Sequence, residues 1–186
     1  MIEFFDSIDA NAWIQTFGGI VGALLAGGIA ILIFRNQVRF ETKRERIREL
    51  ENFLKSNFII NSWLKSASES TIEITRAIED RELVNEKRKI ILNNEINALK
   101  YCTGILDKLK DDYIPMEVYK EFIEVKTTLD LIASEANIQL GIYHGNYSLK
   151  HHPDFKALSQ KVVDYADLFK KFGMEREIEL KTLKKK

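Results

Sequence analysis

The chain has 186 residues, 28 Lys+Arg against 28 Asp+Glu, and a formal net charge of zero. That balance argues against a dedicated nucleic-acid binder, because phosphate binding needs a net basic face, and no specific duplex nucleic-acid binding is expected. The single cysteine, Cys102, excludes an intramolecular disulfide and a zinc site built on paired cysteines.

A mean hydropathy of −0.21 hides one strongly apolar segment. Residues 1–12 read as a short extracytoplasmic tail whose only charges are Glu3, Asp6 and Asp9. No basic stretch precedes the apolar run, so a cleavable signal peptide is not expected. Residues 13–34 read as a transmembrane helix. Phe17–Phe34 carries no charged or hydrogen-bonding side chain and covers about 27 Å of helix; with Trp13–Thr16 it reaches about 33 Å, enough for a bilayer core. Trp13 and Phe34 stand where interfacial aromatics are expected.

The span is segregated by size. At about 100° per residue, Gly18, Gly22, Ala26 and Ala30 form one ladder, and Gly19, Ala23 and Gly27 a second beside it. Gln15 and Thr16 project from the same side. Phe17, Ile20, Val21, Leu24, Leu25, Ile31 and Leu32 fill the other half. Helices associate in lipid through close backbone approach, which such ladders allow. With one span per chain, the simplest partner is another copy. Two copies make an anchor. Four or more, as in a tetramer, surround a narrow path lined by glycine and alanine, which can gate by wetting and drying. The sequence leaves anchor and pore both open.

Residues 35–54 read as a basic helical stalk. No Lys or Arg precedes the span, while Arg35, Arg39, Lys43, Arg44, Arg46 and Arg48 follow it. The positive-inside rule puts the C-terminal side in the cytoplasm, giving a single-pass inner-membrane protein with its N-terminus outside. Arg35, Arg39, Lys43 and Arg44 are the candidate lipid-headgroup contacts. The apolar positions here hold no strict heptad.

Residues 55–186 read as a cytosolic bundle of about four helices, making the fold class all-α. Ser66–Thr71 is a polar break and a candidate helix start. Leu92, Ile96, Leu99 and Leu106 repeat at helical spacing, and Pro115 bars continuation. Val118, Phe122, Val125, Leu129 and Ile132 give the cleanest stripe in the chain. Gly141–Pro153 reads as a loop. A last amphipathic helix carries Phe155 to Phe172, with Gly173 as its expected C-cap.

The loop holds all three histidines, His144, His151 and His152, with Asp154 nearby. No HxxxH or ExxH spacing accompanies them, so no metal site is assigned. Tyr143 and Tyr147 can stack on a planar ring with Lys150 near a phosphate. Tyr143, His144, Tyr147, Lys150, His151 and His152 are therefore the candidate ligand loop, with a solvated connection as the plain alternative. Cys102 sits in a helical pattern and is expected in the core. There is no phosphate-binding glycine loop, no catalytic residue is assigned, no cofactor is called for, and an enzyme is not expected.

One span, a glycine-rich packing face and a small helical domain together resemble the small bacterial anti-phage membrane effectors of the Hailong-type channel class. The resemblance is in architecture, over the whole chain. It implies a homo-oligomeric channel controlled by a nucleotide signal or a protein regulator in the cytosol. The alternative is a non-conducting anchor that recruits a cytosolic partner through its bundle.

Overall fold

A computed structural model describes residues 10–146 and 153–185, with side chains from Trp13 onward. The described residues are largely helical and contain no strand. Four helices follow in order: α1 Ala10–Glu79, α2 Asn85–Leu106, α3 Met116–Tyr143 and α4 Phe155–Lys185, with a 3₁₀ turn at Asp111–Tyr113. The chain divides into two compact units, Met1–Arg46 and Ile47–Lys186.

In the first unit, every described side chain from Trp13 to Thr42 is exposed. Leu24 at 71 %, Phe34 at 66 % and Leu25 at 63 % exposure typify an apolar surface broader than soluble monomers ordinarily carry. The most apolar 18-residue window of α1 has a mean hydropathy of 2.4, and α1 is the one described helix long and apolar enough to cross a membrane. Trp13 and Phe17 stack in a tilted pair, 6.1 Å between ring centroids.

In the second unit, α1 from Leu50 onward packs with α2, α3 and α4 around one core. Buried positions on α1 alternate by three and four: Leu50, Phe53, Asn57, Ile60, Leu64, Ala67, Thr71 and Ile74. The same alternation on α3 runs Val118, Phe122, Val125, Leu129, Ile132, Ala136 and Gln139. This is the packing period of helical bundles, in which side chains of one helix seat between those of its neighbours. Phe53, Phe122 and Phe169 are the largest fully buried side chains. Each contributes about 1.5–3 kcal/mol through burial.

Three expectations about helix ends are corrected. Ser66–Thr71 does not interrupt α1. These small polar residues instead form a seam: the hydroxyls of Thr71 and Ser159 on α4 lie 3.0 Å apart in the interior. Thr71 and Thr75 also return their hydroxyl protons to the carbonyls of Ser68 and Thr71. That local satisfaction lets helical threonines stay buried. Gly141 does not open a loop, because it lies buried within α3. The helix stops at Tyr143, where Gly145 takes φ +78°. Its N–H reaches the Ile142 carbonyl at 2.9 Å, and the Asn146 N–H reaches that of Gly141 at 2.9 Å. These two bonds make a Schellman stop. Gly173 does not cap α4, which continues to Lys185; it is buried against Asn57 of α1. Pro115 stands as expected outside α2, which ends earlier, at Leu106, and the proline precedes the first turn of α3.

Candidate functional site

The ladders of the span present bare backbone. A β-carbon built at Gly18, Gly19, Gly22 or Gly27 meets nothing within 4 Å. Gln15, Thr16, Ala23, Ala26 and Ala30 are exposed along with them. Glycine costs a helix about 1 kcal/mol relative to alanine in water. Of the headgroup candidates, Arg35, Arg39 and Arg44 are exposed and Lys43 is half-buried.

Two of the six candidate loop residues are described. Tyr147, Lys150, His151 and His152 lie outside the described residues. Tyr143 closes α3, half-buried, and His144 follows it, exposed. Tyr143 is engaged from below: the Arg88 guanidinium lies 4.9 Å from its ring centroid. Arg88 is itself 8 % exposed and ties three segments together. Its Nε donates to the Ala77 carbonyl at 2.6 Å and its Nη1 to Asn85 Oδ1 at 2.7 Å. Its Nη2 donates to the Asp80 carbonyl. A guanidinium thus takes up carbonyls that the end of α1 would otherwise leave unpaired.

Beside this clamp, a hydrogen bond and positive charge from Lys89 hold the Glu86 carboxyl below its ordinary range, with His144 adding to the effect. Asp154, paired with the histidines in the sequence, has another task here: its Oδ1 accepts the Ala157 N–H at 2.9 Å and caps α4. A cavity of about 490 Å³ lies at this end of the bundle, bordered by Glu79, Arg81, Gln139 and Asp154 among others. Among the described residues, no group of three or more His, Cys, Asp or Glu side chains is arranged to hold a metal ion. Cys102 is buried at 1 % exposure, and burial pushes its thiol above the ordinary value. That makes it a poor nucleophile.

Sequence reasoning missed a groove between α1 and α4. Its volume is about 780 Å³, and its walls run from Leu54 to Lys65 on α1 and from Lys170 to Lys184 on α4. Phe58 and Met174 line it while 75 % and 52 % exposed. Asn57, 5 % exposed, also lines it, and its Oδ1 accepts no hydrogen bond from the described residues. The available signal was the repeated lysine on α4, but the partner wall is more than a hundred positions away in sequence.

Comparison of the chain with protein-family models, with curated proteins and with solved structures gives no match. The functional reading therefore rests on the chain's own residues.

Proposed function

We propose that this chain is a membrane-anchored homo-oligomeric effector whose span lines or closes an ion-permeable path, controlled through its helical bundle by a nucleotide or protein regulator. Its place is the bacterial inner membrane, N-terminus outside and bundle in the cytoplasm, and its role is anti-phage defence, as in the channel effectors it resembles. One observation carries the reading: the small-residue face of the span lies open, with nothing within 4 Å of where β-carbons would stand at Gly18, Gly19, Gly22 and Gly27. Bare helix of this kind associates in lipid by backbone contact. The absence of charge inside the span fits a path gated by wetting rather than by a charged filter.

The decisive experiment pairs conductance with assembly. Induced expression depolarises bacterial cells, and the purified chain conducts in planar bilayers. Gly22→Leu or Ala26→Leu abolishes both effects and lowers the oligomer number while leaving membrane insertion intact. Harmless expression together with an unchanged oligomer number in Gly22→Leu sinks the reading. The second reading, a non-conducting scaffold, draws support from the open groove between α1 and α4. It is distinguished by an oligomer that assembles and never conducts.

A further inference from the structure

The groove between α1 and α4 combines three properties that a finished interior surface does not have. Its floor is apolar and open: Leu54, Phe58 and Met174 line it, and two of these are more than half exposed. Its floor also holds Asn57, whose buried amide oxygen lacks a donor. A buried acceptor without a partner carries a desolvation cost that a donor brought from outside can recover. Its rim is basic: Lys65, Lys170, Lys181 and Lys184 line it, against Glu177 as the one acid. Lys181 pairs with Glu177 and Lys184 with Glu51, each at 2.7 Å. Lys65 and Lys170 make no ion pair with the described residues.

The dimensions select the occupant. The α1 wall extends over about 16 Å and the α4 wall over about 21 Å, three to four helical turns. A groove this long and this open fits a helix laid along it, anchored at every third or fourth residue. A second copy laid face to face would bring one lysine rim against another, which charge repulsion opposes.

We infer that this groove docks an acidic amphipathic helix of a partner protein. The helix seats apolar side chains on Leu54, Phe58 and Met174 and turns carboxylates toward Lys65 and Lys170. A hydroxyl or amide on it donates to Asn57. The inference names the partner surface of the bundle and does not require the span to conduct, so it and the channel reading fail separately.

The test uses the full chain in nanodiscs and two synthetic helical peptides of roughly 16 residues, long enough to span the groove. One carries a leucine and phenylalanine stripe flanked by glutamates, with a serine at its centre. The other replaces every glutamate with lysine. The acidic peptide binds, and binding weakens as salt rises. Lys65→Glu combined with Lys170→Glu weakens it by about tenfold or more. Phe58→Ser does the same with unchanged thermal unfolding. A photo-crosslinker placed at position 58 captures the acidic peptide and not the basic one. Equal binding of the two peptides overturns the inference, as does full affinity in the Lys65→Glu, Lys170→Glu chain. A fall in oligomer number on Phe58→Ser, with no peptide bound, also overturns it by assigning the groove to a second copy.

Discussion

Gly173 on α4 leaves the space that the Asn57 amide on α1 occupies: a β-carbon at position 173 would fall on Asn57 Nδ2. The two residues are a matched pair across a helix seam. The glycine is there for closeness, and the asparagine is one of two polar members, with Thr71, of an otherwise apolar register.

This pairing sets up a double-mutant cycle. Gly173→Ala alone destabilises by about 1–3 kcal/mol, because the new methyl forces the amide or the helices to shift. In an Asn57→Ala background the same change stabilises by about 0.5–1 kcal/mol, since alanine favours the helix. Chemical denaturation of the four chains reads the sign reversal. Equal effects in both backgrounds would refute the steric account.

Arg88 is the second place where one side chain carries several segments. Arg88→Ala leaves the Ala77 and Asp80 carbonyls without their donor and removes the cation over Tyr143. A loss of about 1.5–3 kcal/mol is expected. Arg88→Lys recovers little of it, because an ammonium cannot fork to both carbonyls and Asn85. Hydrogen exchange at the end of α1 should rise in both variants.

The Tyr165–Glu124 bond predicts pH dependence on two sides. The Tyr165 hydroxyl donates to Glu124 Oε2 at 2.7 Å. Burial and the Glu124 carboxylate raise the Tyr165 pKa from 10.0 to about 12. Its contribution is therefore full below pH 10 and is lost as pH climbs through 12. The same bond holds Glu124 below its ordinary 4.5. That contribution is present above this value and fades as pH falls past it. Tyr165→Phe should flatten both flanks of a plot of Tm against pH and lower Tm by about 2–4 °C near neutrality.

Phe122 tests the core. It is fully buried among α3 and its neighbours. Phe122→Ala should cost about 3–5 kcal/mol, and Phe122→Leu much less. Gly22→Leu in the span should leave this stability unchanged, since nothing in the described chain approaches that glycine.

The stripe Val118–Ile132 was legible because large apolar side chains at helical spacing have one economical use. The long apolar first half of α1 was legible for the same reason, and its small-residue face followed from the spacing of glycine and alanine. The continuation of α1 through Ser66–Thr71 was not legible. Small polar residues look like a break until a partner such as Ser159 is known to lie against them. Gly173 misled in the same way: a glycine near the end of an amphipathic stretch normally marks a stop, and only Asn57 across the seam explains its presence inside a helix. The groove was invisible because neither wall is unusual by itself. Of the loop, the sequence showed the chemistry of Tyr143 and His144 but not the engagement of Tyr143 by Arg88.

The Schellman stop at Gly145 and the cap supplied by Asp154 mean that α3 and α4 each carry their own punctuation. The ends of both helices are therefore set by residues outside positions 147–152. Tyr147, Lys150, His151 and His152 can be exchanged for an inert sequence, or for a fluorescent reporter, while both helices begin and end where they do now. Such a graft would test whether the segment does anything beyond joining two helices that fold without it.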